Sequence, residues 1–155
     1  MISIRPAQPT DIQHIVRFNA AMALETEDLQ LDMATLEKGV RHLFDHPEQG
    51  FYLVAEQDHK VTGCLLITFE WSDWRNGLFW WIQSVYVDPD HRRQGIYSRL
   101  YQEIQDRAAM DDEIIGFRLY VERENHRAQQ TYKAQGMSRT PYVLFEELKD
   151  RRESP

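Results

Sequence analysis

The stretch WWIQSVYVDPDHRRQGIYS, residues 80–98, decides the fold. Its first eight residues are aromatic, β-branched or small, the composition of a strand, and Asp88-Pro89 ends it. Downstream, Ile96, Leu100, Ile104 and Ala108 recur every fourth residue, so a helix opens near Gly95. Two adjacent arginines, Arg92 and Arg93, stand at the mouth of that helix. A helix start carries N–H groups without intrahelical partners and the positive end of the dipole, so guanidinium groups are awkward there unless an anion joins them. Phosphate would remove the conflict, and Gly95, lacking a Cβ, would let it approach the backbone amides. The bland alternative is a solvated loop with surface arginines. No Gly-Lys-Ser/Thr follows, so the loop is not a Walker P-loop, nor is it G-x-G-x-x-G.

Working outward, Ile2 to Arg5 reads as a first strand. Thr10 and Gln13 have capping-box spacing, and Ile12, Ile15, Val16 and Ala23 line one face of a helix running to about Leu24. Leu36, Val40, Leu43 and Phe44 predict a second helix stopped by Pro47. Residues 51–57, 60–71 and 78–87 read as three antiparallel strands, the last two joined by a turn ending in Asn76-Gly77. GFRLYVE (116–122) is a further strand, Asn125 to Gln135 a helix between a good N-cap and Gly136, and Tyr142 to Phe145 a final strand. The order is β-α-α-β-β-β-α-β-α-β, an α/β (α+β) fold with a mixed, mostly antiparallel central sheet and helices on both faces. Residues 1–148 are expected to form one domain, with the charged tail 149–155 fraying.

The composition narrows the partners. At 155 residues and 42% apolar, the chain has material for one core. Its net charge of -7 works against nucleic-acid binding. No apolar run approaches the ~18 residues that span a bilayer, so no membrane partner is expected. One cysteine, Cys64, excludes an intrachain disulfide and a cysteine-cluster metal site, and the chain is expected in the cytoplasm. His42 and His46 are four apart, but a third ligand is not evident, and no metal is expected. Cys64, inside an apolar strand, reads as a small buried hydrophobe.

The segment Arg92-Arg93-Gln94-Gly95-Ile96-Tyr97 resembles the acyl-CoA pyrophosphate loop of the GNAT N-acetyltransferase superfamily, whose pattern is Gln/Arg-x-x-Gly-x-Gly/Ala. Tyr97 stands where the family usually has a small residue. Asn125-x-x-Ala128-x-x-x-Tyr132-x-x-x-Gly136-Met137 is similar to the other half of the family signature, and the resemblance covers nearly the whole chain. It implies a GNAT-like fold and acetyl-CoA as donor. It further implies that backbone groups of Val85, Tyr86 and Val87 hold the pantetheine arm, and that Arg92, Arg93, Gln94, Gly95, Ile96, Tyr97 and Ser98 hold the pyrophosphate. Asn125 and Tyr132 would complete the cofactor site, with Tyr132 as general acid to the departing thiolate. A phenol with an unperturbed pKa of about 10 carries that proton at neutral pH.

The base is less defined. Many relatives carry a glutamate on the strand before the loop, where this chain has Trp81 and, on the same face, Gln83. The carboxylates left are Glu25 and Glu27 after the first helix, and Glu70 and Asp73 at the EWSDW turn; Glu70 and Glu27 are taken as catalytic candidates. Glu25, Glu27, Glu70 and Asp73 would attract an amine cation, with Trp71 and Trp74 offering aromatic faces to it or simply packing. Trp80 and Trp81 alternate on a strand, so at least one should lie in the core or at a subunit interface, and Trp80 reads as packing rather than binding.

The expectation is an acetyl-CoA-dependent N-acetyltransferase acting on the primary amine of a small cationic metabolite by direct attack, assembled as a homodimer. The alternatives are a noncatalytic acyl-CoA-binding sensor and, more distantly, a carbohydrate-binding module built on the tryptophans.

Overall fold

The computed structural model describes residues 1–149 and divides the chain into two compact units, Met1–Leu119 and one beginning at Tyr120. Residues 150–155, most of the tail expected to fray, lie outside the described residues.

The first unit runs β1 (Ile2–Pro6), α1 (Ile12–Glu27), α2 (Met33–Asp45), β2 (Gly50–Gln57), β3 (Lys60–Ser72), β4 (Gly77–Val87), α3 (Ile96–Ala109) and β5 (Ile114–Arg118). The strands form one sheet in the order β1-β2-β3-β4-β5, antiparallel except for the parallel pair β4 and β5. Alternation along β3 sorts the two faces. Cys64, Leu66, Thr68 and Glu70 share one face with Tyr86, and there α1 and α2 pack through Ile12, Ile15, Val16, Phe18 and Val40. Leu65, Ile67 and Phe69 share the other with Trp80. On that face Trp80 meets Phe117, and Phe117 meets Tyr101 of α3. Trp80 is therefore core, as expected, and Cys64 is a buried thiol whose pKa burial pushes up to about 12.

The start of α1 differs from the sequence reading. A short 3-10 turn, Pro9–Asp11, precedes it, and Asp11 replaces the expected Thr10–Gln13 box by accepting from the Gln8 N–H at 2.7 Å. Asp11 is buried and takes a two-pronged ion pair from Arg5 at 2.8 and 3.1 Å. Burial pushes the Asp11 carboxyl up, but the Arg5 and Gln8 hydrogen bonds outweigh it, leaving the net shift downward. α1 continues past Leu24 to Glu27 and stops at Asp28, whose φ of 51° is left-handed.

Two strand expectations need correction. β5 is Ile114–Arg118, earlier than residues 116–122: its ladder to β4 ends at the Trp81–Arg118 pair, while β4 itself runs on to Val87 and bulges at Gln83. In the second unit α4 (His126–Ala134) forms as predicted, with Asn125 Oδ1 accepting from the Ala128 N–H at 3.1 Å and Gly136 at φ 98° after its end. The strand expected at Tyr142 to Phe145 does not form. Apolar residues alone do not make a strand; a ladder partner must accept and donate, and the described part of this unit has no strand to supply one. Among the described residues no helix is long and apolar enough to cross a membrane.

Asp11 makes an acid-sensitive joint. Its folded pKa lies below its unfolded value of about 4, so its contribution is complete above that value and is lost as pH falls through the folded pKa. Asp11→Asn should lower unfolding free energy at pH 7 by about 2 kcal/mol, less than for a fully buried pair because Arg5 is partly exposed. Urea titrations from pH 7 to 2.5 should show a smaller acid-dependent loss in the variant.

Candidate functional site

The site begins with one surplus residue. Leu66 pairs with Ser84 and Ile67 with Ile82, so Gln83 has no counterpart on β3 and β4 bulges there. A bulge bends its strand and sharpens the local twist. On its other side β4 pairs with β5 only over Leu78–Trp81, so from Ile82 to Val87 no described strand pairs with that edge. The backbone of Val85, Tyr86 and Val87, expected to hold an extended arm, lies along this stretch. Ser84 Oγ, just past the bulge, is buried and has no hydrogen-bond partner among the described residues. Buried hydroxyls are rarely left so. An extended ligand with amide groups along this edge would meet an open ladder and an unused hydroxyl, so the residues fit such an arm.

β4 leads into a 3-10 turn, Pro89–His91, and then the arginine loop. Arg93 (φ 66°) and Gly95 (φ 82°) are both left-handed, which turns the chain sharply into α3. Gly95 is the N-cap residue and has no side chain to cap the first turn, and open space surrounds the place of its missing Cβ. An anion therefore has room at the amides of Ile96, Tyr97 and Ser98.

The two arginines differ in what they do. Arg92 is committed inside the protein: its Nε donates to Val87 O at 2.9 Å and its NH2 to both Glu25 oxygens at 3.0 and 3.2 Å, while its guanidinium lies over the Tyr86 ring. The Tyr86 phenol lies within electrostatic reach of Glu25. The Arg92 hydrogen bond holds the Glu25 carboxyl below its ordinary value against a modest desolvation, and burial together with Glu25 raises the Tyr86 phenol. The anion that settles Arg92 is thus Glu25. Arg93 makes no ion pair among the described residues and remains available at the helix mouth.

Farther along the sheet, on β3 opposite Phe79 of β4, lies Glu70. Its Oε1 accepts from Trp81 Nε1 at 2.9 Å and from Arg118 at 2.7 Å. Those donors, Trp81 first and then Arg118, lower its pKa. A carboxylate held in this way is a weak base and a firm cation holder. Gln83 reaches across the strands to donate to Thr68 Oγ1 at 2.9 Å. Trp71 and Trp74 are exposed, Trp74 at 90%, beside exposed Asp73. Glu27 is exposed at the end of α1. Asn125 and Tyr132 belong to the second unit, one capping α4 and the other giving its carbonyl to the Met137 N–H. His42 and His46 stack on each other, and no group of three metal-ligating side chains occurs among the described residues.

Sequence reasoning missed Ser84 and Arg118. A small polar residue in the run IQSVYV was the available signal for the first. An arginine amid alternating apolar residues of GFRLYV was the signal for the second.

This fold and this strand-loop-helix are those of an acyl-transferring enzyme. The sequence profile of the acetyltransferase (GNAT) family matches residues 18–137, and the chain belongs to that family: it is an N-acetyltransferase. It is 32% identical over 145 residues to a thialysine N-epsilon-acetyltransferase of Bos taurus, covering 87% of this chain and 83% of the bovine one. A possible acetyltransferase from Clostridium difficile 630 has the same fold at TM-score 0.91 and 44% identity, over 96% of this chain and 98% of that one. An aminoglycoside N-acetyltransferase solved with CoA superposes at TM-score 0.78 and 14% identity, over 96% of this chain and 95% of its own, a likeness of fold.

The left-handed φ at Gly95 sets a test. Gly95→Ala meets no steric neighbour but places a Cβ on a left-handed backbone, which should lower unfolding free energy by about 1 kcal/mol in urea titration.

Proposed function

We propose that this N-acetyltransferase uses acetyl-CoA and acetylates the primary amine of a small cationic metabolite by direct attack, with neither an acyl-enzyme nor a metal. The observation that carries the reading is the unpaired β4 edge after Gln83, with the unused Ser84 hydroxyl beside it and the Gly95 loop at its end. Acetyl-CoA, when bound, supplies an activated thioester carbonyl.

The residues divide the remaining work. Backbone groups of Val85, Tyr86 and Val87 hold the arm as an added strand. The amides of Gly95, Ile96, Tyr97 and Ser98, helped by Gln94 and the Arg93 guanidinium, meet the diphosphate charge. Arg92 fixes the loop to the end of β4 and to α1 through Val87 and Glu25. Tyr132 holds the proton for the departing sulfur, and Asn125 orients the helix that carries it. Glu70 and Glu25, whose carboxyls stay ionised, and Asp73 hold the ammonium, with Trp71 and Trp74 as aromatic walls. Glu27 takes the proton from the amine through water.

The bovine relative's name, a thialysine N-epsilon-acetyltransferase, supports a small amine acceptor over a protein. Family membership favours catalysis over a noncatalytic acyl-CoA sensor. We read residues 1–148 as one acyltransferase domain, working in the cytoplasm as a homodimer whose contact draws on the exposed tryptophans.

CoA should raise the thermal midpoint in a salt-sensitive way, because a ligand bound only by the folded state stabilises it, and Arg92→Glu should reduce the rise. An unchanged midpoint at saturating CoA would remove the cofactor assignment. Tyr132→Phe should lower kcat at least about tenfold while shifting the acetyl-CoA KM by less than about twofold. Equal turnover by the variant would remove the general acid.

A further inference from the structure

The turn that delivers the chain into α3 is hard to hold in shape. Arg93 and Gly95 are both left-handed, which is costly at Arg93 because it carries a Cβ. Residues 92–95 are all exposed. Among the described residues, the side chains of this stretch make polar contacts at one position only, Arg92. Two of its three guanidinium nitrogens are engaged. Nε donates to the Val87 carbonyl at the end of β4, and NH2 donates to both oxygens of Glu25, 67 positions away on α1. The Tyr86 ring lies 5.2 Å from the same guanidinium. Glu25 is in turn fixed by its helix, which buries Phe18 and Ala23 ahead of it and packs Phe18 on Tyr86 with 5.5 Å between ring centres.

Glu25 acts on an incoming anion in two opposed ways. Its charge repels the anion, while its grip on Arg92 spares the anion the ordering of the turn. Water screens the repulsion, because both side chains of the pair are partly exposed. Without the grip, one long side chain and a strained turn would have to be ordered on binding. Glu25 and the anion also do not compete for the same N–H groups, since Arg92 NH1 has no protein partner among the described residues. The grip therefore outweighs the charge.

We infer that Glu25 is a positioning residue for the donor: through Arg92 it holds the left-handed turn at the mouth of α3 in the shape that receives the diphosphate, without contacting the donor itself. The inference rests on the reading of this turn as the diphosphate site and adds to it a residue from α1. A carboxylate offers about four lone-pair sites, so holding Arg92 leaves Glu25 able to meet an ammonium as well.

The test is CoA affinity from thermal-shift titration of the full chain, with folding of each variant checked by circular dichroism. Glu25→Gln removes a negative charge near an anion site, so charge alone predicts tighter binding; positioning predicts binding at least about threefold weaker. Glu25→Asp, with the charge but a shorter reach, should recover part of the loss. Glu25→Gln combined with Arg92→Gln should bind within about twofold of Arg92→Gln alone, because the two residues act as one unit. A second readout needs no ligand: trypsin cuts after arginine, and Glu25→Gln should speed cleavage after Arg93 at least about threefold by letting the turn open. Equal or tighter CoA binding by Glu25→Gln, or additive losses in the double variant, overturns the inference while leaving the diphosphate site in place. Failure of the parent reading has a different mark: CoA gives wild type no thermal shift, while Glu25→Gln still exposes the turn to trypsin.

Discussion

A ladder with one more residue on one strand than on its neighbour must bend, and in this chain the surplus residue is Gln83. β4 pairs with β5 up to Trp81 and not beyond, so after the bend, among the described residues, no strand pairs with that edge, and the Val87 carbonyl at its end accepts from Arg92 instead. Backbone groups are costly to leave unsatisfied. The buried Ser84 hydroxyl, just past the bulge, likewise has no partner among the described residues. The arginine loop, the start of α3 and the Glu70–Trp81–Arg118 cluster all take their positions from the strand on either side of that bend.

Arg92 ties the loop before α3 to the end of β4 and to α1. Its three contacts join the last carbonyl of β4, an aromatic ring on β4 and the last turns of α1. The loop before α3 and the end of α1 therefore share a charge-assisted link, and a displacement of either is felt by the other. Glu25 gives up most of its freedom as a base to serve it, as Glu70 does to Trp81 and Arg118.

Periodicity made most of the fold legible. The runs that became β2, β3 and β4 and the four-residue repeat of α3 specify their elements locally, and Asn125 and Gly136 bracket α4 because caps are local devices too. The errors fell where long-range pairing decides. β5 ends at Arg118 because Trp81 is its last partner, and Tyr142 to Phe145 has strand composition without a ladder. In the site, the loop was readable from Arg92, Arg93 and Gly95. The commitment of Arg92 to Glu25 was not, because 67 residues separate them and nothing in the local sequence points from one to the other. Arg118 and Glu70 meet only through the β3-β4-β5 register.

Cys64 sits sealed between β2 and β4, its thiol held in the protonated form far above neutrality. A folded enzyme of this kind contributes no reactive sulfhydryl of its own. Disulfide-based chromogenic reagents can therefore be present continuously during turnover, the colour they develop counting liberated coenzyme alone, and a slow second rise in colour would report unfolding instead.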